Sequence, residues 1–165
     1  MKHILTILIL CAILLCGCQP DSLQAPEAFY YPQADYLYAQ NGQILGFELR
    51  ETAGIHDITA LLDLYVKGPH SAIFNNPFPS GTLILSCQQS NDILILTVSD
   101  EFSQLSGIDL MLSCACLART GMEITGATAV HIRADTLLLD GDDEIVITQD
   151  TFLFTDATSV TAPIE

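Results

Sequence analysis

Cys114 and Cys116 are separated by one residue, and Asp140, Asp142 and Glu144 alternate across a short acidic run. With Cys87 and the internal histidines, these are the side chains whose type and spacing could do chemistry. A Cys-x-Cys pair in a loop can hold a metal. On a helix, residues i and i+2 point about 200° apart, so two thiols so placed cannot share a ligand. The surrounding residues read as helix, and small core hydrophobes are the better account of both. Cys87 falls in a strand pattern, on one face with Leu83 and Leu85, from which it could meet one of the helical thiols across the core. Whether it pairs with Cys114 or Cys116 stays open, because connectivity is not written in sequence. His56, His70 and His131 show no H-x-x-x-H or H-E-x-x-H spacing, and a histidine metal site is not expected. In a calcium loop begun at Asp140, the closing bidentate Glu would fall at Thr151, and the glycine stands second instead of sixth, so a solvated acidic turn is the expectation. There is no G-x-S-x-G, no glycine loop to cradle phosphate, and no cysteine in an electropositive setting that would lower its pKa. Neither an enzyme nor a cofactor is expected.

Cys18 is a different case. Met1-Lys2-His3 precedes an apolar stretch from Ile4 to Leu15 interrupted only by Thr6. A stretch of about a dozen residues is too short to span a bilayer and fits the hydrophobic region of an export signal. The residues that follow resemble a bacterial lipoprotein signal, with Leu15 as the aliphatic residue, Gly17 as the small one and Cys18 as the modified cysteine. Cys16 stands where Ala, Ser or Thr is usual, and is itself the poorer lipidation site because Leu15 would then directly precede it. The resemblance implies a signal peptide over 1–17 and a diacylglyceryl (palmitate-type) anchor on Cys18, whose thiol is then lost to other chemistry. Two acyl chains hold a protein stably to a membrane where one does so marginally. The expected location is the extracytoplasmic face of the cell membrane.

The chain from residue 18 keeps four cations, Arg50, Lys67, Arg119 and Arg133, against 20 acids, a formal charge of −16. Such a surface repels phosphate backbones and anionic headgroups, which argues against nucleic acid binding and against a basic membrane patch. The length suits one domain.

Residues 18–28, with Pro20 and Pro26, read as a tether. Tyr36–Ala39 and Ile44–Leu49 flank Asn41-Gly42, a tight hairpin signal, with Phe29-Tyr30-Tyr31 beginning or extending the first strand and Leu45, Phe47 and Leu49 on one dry face. Ile58, Leu61, Leu62 and Tyr65 follow helical spacing, with Asp57 as N-cap, Lys67 in the last turn and Gly68-Pro69 as the stop. In the Pro-rich loop after it, Phe74 and Phe78 either fold back on the core or form a contact patch. Thr82–Gln88 and Ile93–Val98 predict a second hairpin around Ser90-Asn91-Asp92. Ser106 can cap a helix to about Thr120 with Gly121 at its end, and so little of it is polar that it should be covered on most sides. Ala129–Arg133 alternates as a strand, and Leu137–Leu139 is expected to pair with Ile145–Ile147 across the acidic turn. The order predicts a single compact α+β domain over 29–154, a mixed sheet with two main helices on one face, followed by a fraying tail at 155–165.

From Leu61 onward the chain resembles the GerMN domain of sporulation and spore-germination lipoproteins. The resemblance is carried by Leu61, Leu62, Leu64, Gly68 and Pro69, by Pro79, Gly81 and Thr82 before a central strand, by Val98, Ser99, Glu101 and Phe102, and by the apolar helix and closing strand beyond. It implies a fold like that of ring-building domains and a scaffold role in contact with an envelope protein or with other copies of the chain. One such domain stands here where the sporulation protein carries two. The alternative is an extracytoplasmic ligand- or calcium-binding envelope protein, suggested by the charge and the acidic turn.

Overall fold

The structure, a computed structural model, describes residues 26–35, 44–52 and 54–151. Cys16, Cys18, Asn41 and Gly42, the strand expected over Tyr36–Ala39 and the tail from 155 lie outside them.

Strand β1 (Glu27–Pro32) pairs antiparallel with β2 (Leu45–Arg50). Strand β1 thus starts two residues inside the expected tether, and it contains the Phe29–Tyr31 segment. Pro32 lies opposite Leu45 and the Gln33 amide donates to the carbonyl of Ile44, and residues 36–43, where the turn was expected, lie outside the described ones. The expected dry face is also corrected. Leu45 is buried and Phe47 half-buried, but Leu49 is exposed, while Arg50 on the opposite face is buried.

Helix α1 (Ile58–Val66) starts where Asp57 accepts the N–H groups of Thr59 and Ala60, at 3.3 and 3.2 Å, which satisfies two orphan donors of the first turn. It ends at Gly68, whose φ of 104° a side chain would strain and whose added Cβ would strike Asn76.

Strands β3 (Ile84–Ser90) and β4 (Ile93–Val98) form the predicted hairpin, turning through Asn91 at φ 53°. A bulge between Ile84 and Ser86 inserts one residue and flips the alternation. Cys87 therefore shares the core face with Ile84, whereas Leu83 and Leu85 are exposed. The chain next makes a 3-10 turn (Asp100–Gln104), helix α2 (Gly107–Thr125), β5 (Ala129–Ala134), β6 (Ile145–Thr148) and a last 3-10 turn (Gln149–Thr151). The four-stranded order is β3-β4-β5-β6, with β4 and β5 parallel across the α2 crossover and the other pairs antiparallel. Ile145–Ile147 pairs with β5, not with Leu137–Leu139 as expected; Leu139 bridges only Asp142, around Asp140 and Gly141 at φ 54° and 97°. Positive φ at both central residues is what a two-residue hairpin turn requires.

The inner face of this mixed sheet presents Leu94, Leu96, Val98, Val130, Ile132 and Ile147, all buried. Each such side chain contributes roughly 1.5–3 kcal/mol of burial. Helix α1 packs on β3 and α2 on β4, β5 and β6, the arrangement the element order predicts. The two-stranded sheet lies across α2 on its other side, where the backbone N–H of Tyr30 donates to Thr120 Oγ1 at 2.9 Å. The molecule is therefore an α+β domain of three layers. Covered on both sides, α2 buries Cys114, Ala115, Cys116, Leu117 and Ala118. It runs past Gly121 to Thr125 and is capped by Gly126 at φ 71°. Gly121 is an interior contact, because a Cβ there would come within 2.7 Å of Leu94 Cδ2. Ser106 sits at the N-cap without a side-chain bond.

Candidate functional site

The polar centre of the domain was not visible in the sequence. Glu48 and Arg50 stand two apart on β2, so they share a strand face, the one that also carries Phe29 and Tyr31 of β1. Arg50 Nε donates to Glu48 Oε1 at 2.6 Å and its Nη2 donates to the carbonyl of Gly68 at 2.6 Å. Glu48 Oε2 accepts the backbone N–H groups of His70 and Ser71, each at 3.0 Å. The guanidinium also lies over the rings of Phe29 and Tyr31, 5.1 and 5.7 Å from their centroids. One Glu-x-Arg step thus fastens the end of α1 and the turn after it to the two-stranded sheet. No periodicity marks such a pair, because an alternating polar residue on a strand reads as solvent-facing.

Beneath it Tyr65 of α1 sits among Phe29, Tyr31 and Phe78, at centroid distances of 5.3, 4.9 and 5.1 Å. Its hydroxyl donates to the Tyr30 carbonyl, and the Tyr31 hydroxyl donates to the Tyr65 carbonyl at 2.9 Å. Phe74 packs on Tyr31 and Phe78 on Phe102, so the Pro-rich loop folds back onto the core and is not an aromatic contact patch. Burial pushes the pKa values of Tyr31 and Tyr65 up and keeps both neutral.

Partial burial works to raise the pKa of Glu48, but the Arg50 guanidinium and the two backbone donors outweigh it and hold the carboxyl below its ordinary 4.5. A depressed folded-state pKa means that the ionised group stabilises the fold above that ordinary value, and the contribution is lost as pH falls through the lower one. The urea midpoint is accordingly expected to drop on acidification below about pH 4.5 more steeply in the natural protein than in Glu48→Gln. Parallel pH profiles for the two would refute the linkage.

The residues singled out in the sequence are dispersed. Cys87, Cys114 and Cys116 are unpaired thiols, so neither disulfide is formed. Burial raises Cys87 to about 11 and Cys114 to about 12, and pushes Cys116 further still, the reverse of nucleophile activation. His131 Nδ1 lies 2.9 Å from Glu144 Oε1, and His70 is exposed beside Glu48. In the acidic turn, Asp140 Oδ2 accepts the N–H of Gly107 at 3.2 Å. Among the described residues no three His, Cys, Asp or Glu side chains are grouped to hold a metal ion, and no helix is long and apolar enough to cross a membrane.

Shallow clefts mark the surface of the described residues. One, of about 460 Å³, lies between the Asn75–Pro79 loop and α2, where Ser113 donates to the carbonyl of Pro77 at 2.5 Å. Another, of about 350 Å³, lies between the start of α2 and the acidic turn.

The chain matches no protein-family model and no curated protein. Among solved structures it is similar to a protein described as a lipoprotein from Clostridium perfringens. The identity is 18%, the TM-score is 0.46, and the likeness covers 81% of this chain and 94% of that one.

Proposed function

We propose that the protein is a lipoprotein anchored through Cys18 at the extracytoplasmic face of the cell membrane, and that its domain is a non-enzymatic, GerMN-like contact module in sporulation, germination or envelope assembly. The observation that carries the reading is Leu15-Cys16-Gly17-Cys18 at the end of the Ile4–Leu15 apolar run. Support for contact over catalysis comes from the buried polar centre. Its ionisable groups are bonded to one another and to backbone, which suits a rigid platform. The GerMN resemblance points the same way, toward an envelope protein or further copies of the chain as partner.

Expressed in a bacterial host, the protein is expected to fractionate with membranes, incorporate labelled palmitate, and yield by mass spectrometry an N-terminal peptide beginning with diacylglyceryl Cys18. Cys18→Ala should abolish the label and the membrane fraction together. An intact leader, or a free thiol at Cys18 in the membrane-bound protein, would refute the anchor. Crosslinking in the native host tests the contact role, and recovery of neither a specific envelope protein nor a self-adduct would refute it.

A further inference from the structure

We infer that the cleft between the start of α2 and the acidic turn is a docking groove for a basic partner segment carrying apolar anchors. Of ten large hydrophobics exposed among the described residues, Met111 and Val146 line this cleft, and Ile108 and Leu138 are the chain neighbours of its lining residues Gly107 and Leu139. Ile108 is 76% exposed and Met111 53%. Three residues apart on a helix, they present one face. Contiguous exposed apolar surface of this kind marks an interaction site, and methionine adapts its shape to what packs on it.

The rim decides the occupant. Asp140, Asp142 and Glu144 line the cleft and Asp143 lies between them in the turn; Glu144 meets His131 and Asp140 accepts the Gly107 N–H, while among the described residues no Lys or Arg forms an ion pair with any of the four acids. A second copy would bring a like rim and its own charge of −15 against this one, which is repulsive. A segment whose lysines or arginines flank leucine-like anchors gains at both places, as complementary charge speeds encounter and apolar burial holds the complex. The inference deepens the contact-module reading and rests on it, but it does not depend on acylation.

The test uses the full-length protein in phosphatidylcholine nanodiscs, with methyl-labelled Ile, Leu, Met and Val, titrated with a short leucine–lysine peptide and with its leucine–glutamate counterpart, each corrected against empty nanodiscs. The leucine–lysine peptide is expected to bind and to shift the methyl signals of Met111 and Val146, the exposed methyl-bearing residues of the cleft, first, while the leucine–glutamate peptide leaves them in place. The pair Met111→Ser/Val146→Ser, both at exposed positions lining the cleft and checked by thermal melting, should weaken binding at least about tenfold; Asp142→Asn/Asp143→Asn should weaken it and reduce its salt dependence. Equal binding of the two peptides, shifts confined to another surface, an unaffected serine pair, or self-association that the serine pair abolishes would each overturn the groove. Shifts on another surface would leave the contact role standing, and that role fails separately, on the crosslinking result.

Discussion

Replacing Arg50 by Met is expected to destabilise the fold by about 3–5 kcal/mol, the usual consequence of removing one member of a buried ion pair. Three losses coincide. The Glu48 carboxylate keeps its two backbone donors but loses its counter-ion, the carbonyl of Gly68 loses the guanidinium donor, and the Phe29 and Tyr31 rings lose the cation above them. Met approximates the volume, so a packing void is not the cause. The double variant Glu48→Gln/Arg50→Met separates the terms, since with no charge left to strand it should recover part of the loss. Urea unfolding of all four proteins supplies the cycle. A single-variant loss under about 1 kcal/mol, the value of an exposed pair, would show that the pair is solvated and the centre is not a structural anchor.

Tyr65→Ala should cost a similar amount, about 3–5 kcal/mol, by emptying the middle of the aromatic cluster. The ring is wholly buried and touches aromatic partners from β1 and from the loop before β3, so no single neighbour can collapse into the space. Tyr65→Phe keeps the ring and removes only the hydroxyl that donates to the Tyr30 carbonyl, for an expected loss of about 1–3 kcal/mol. Thermal unfolding should rank the natural protein above Phe and Phe above Ala. A Phe variant as damaged as Ala would put the stabilisation in the hydrogen bond, and an Ala variant near neutral would put the cluster outside the cooperative core.

What the sequence made legible is what depends on local periodicity and local caps. The Ile58, Leu61, Leu62, Tyr65 spacing with Asp57 before it and Gly68 after it described α1 to within two residues. The near absence of a polar stripe from Ile108 to Ala118 described a helix covered on most sides, which holds from Ser113 to Ala118, whereas Ile108 and Met111 near its start are exposed. Where the reading failed, a long-range contact had overruled a local rule. Gly121 looked like a helix end but is the point where the backbone comes nearest Leu94. Leu83, Leu85 and Cys87 looked like one face until a single inserted residue turned them apart. Glu48 and Arg50 were invisible for the same reason, because what buries them is a turn some 20 residues later.

The seat of β1 on α2 has a consequence for the order in which the chain can close. The amide of Tyr30 finds its acceptor in Thr120, 90 positions downstream. A ribosome delivers the amino-terminal end first, so β1 and β2 emerge long before the helix they rest on has been made. Contacts this distant must wait for most of the polypeptide, and they slow folding relative to a protein built from neighbours. Until Thr120 arrives, the Tyr30 amide stays with water and β1 has no helix on which to take its seat.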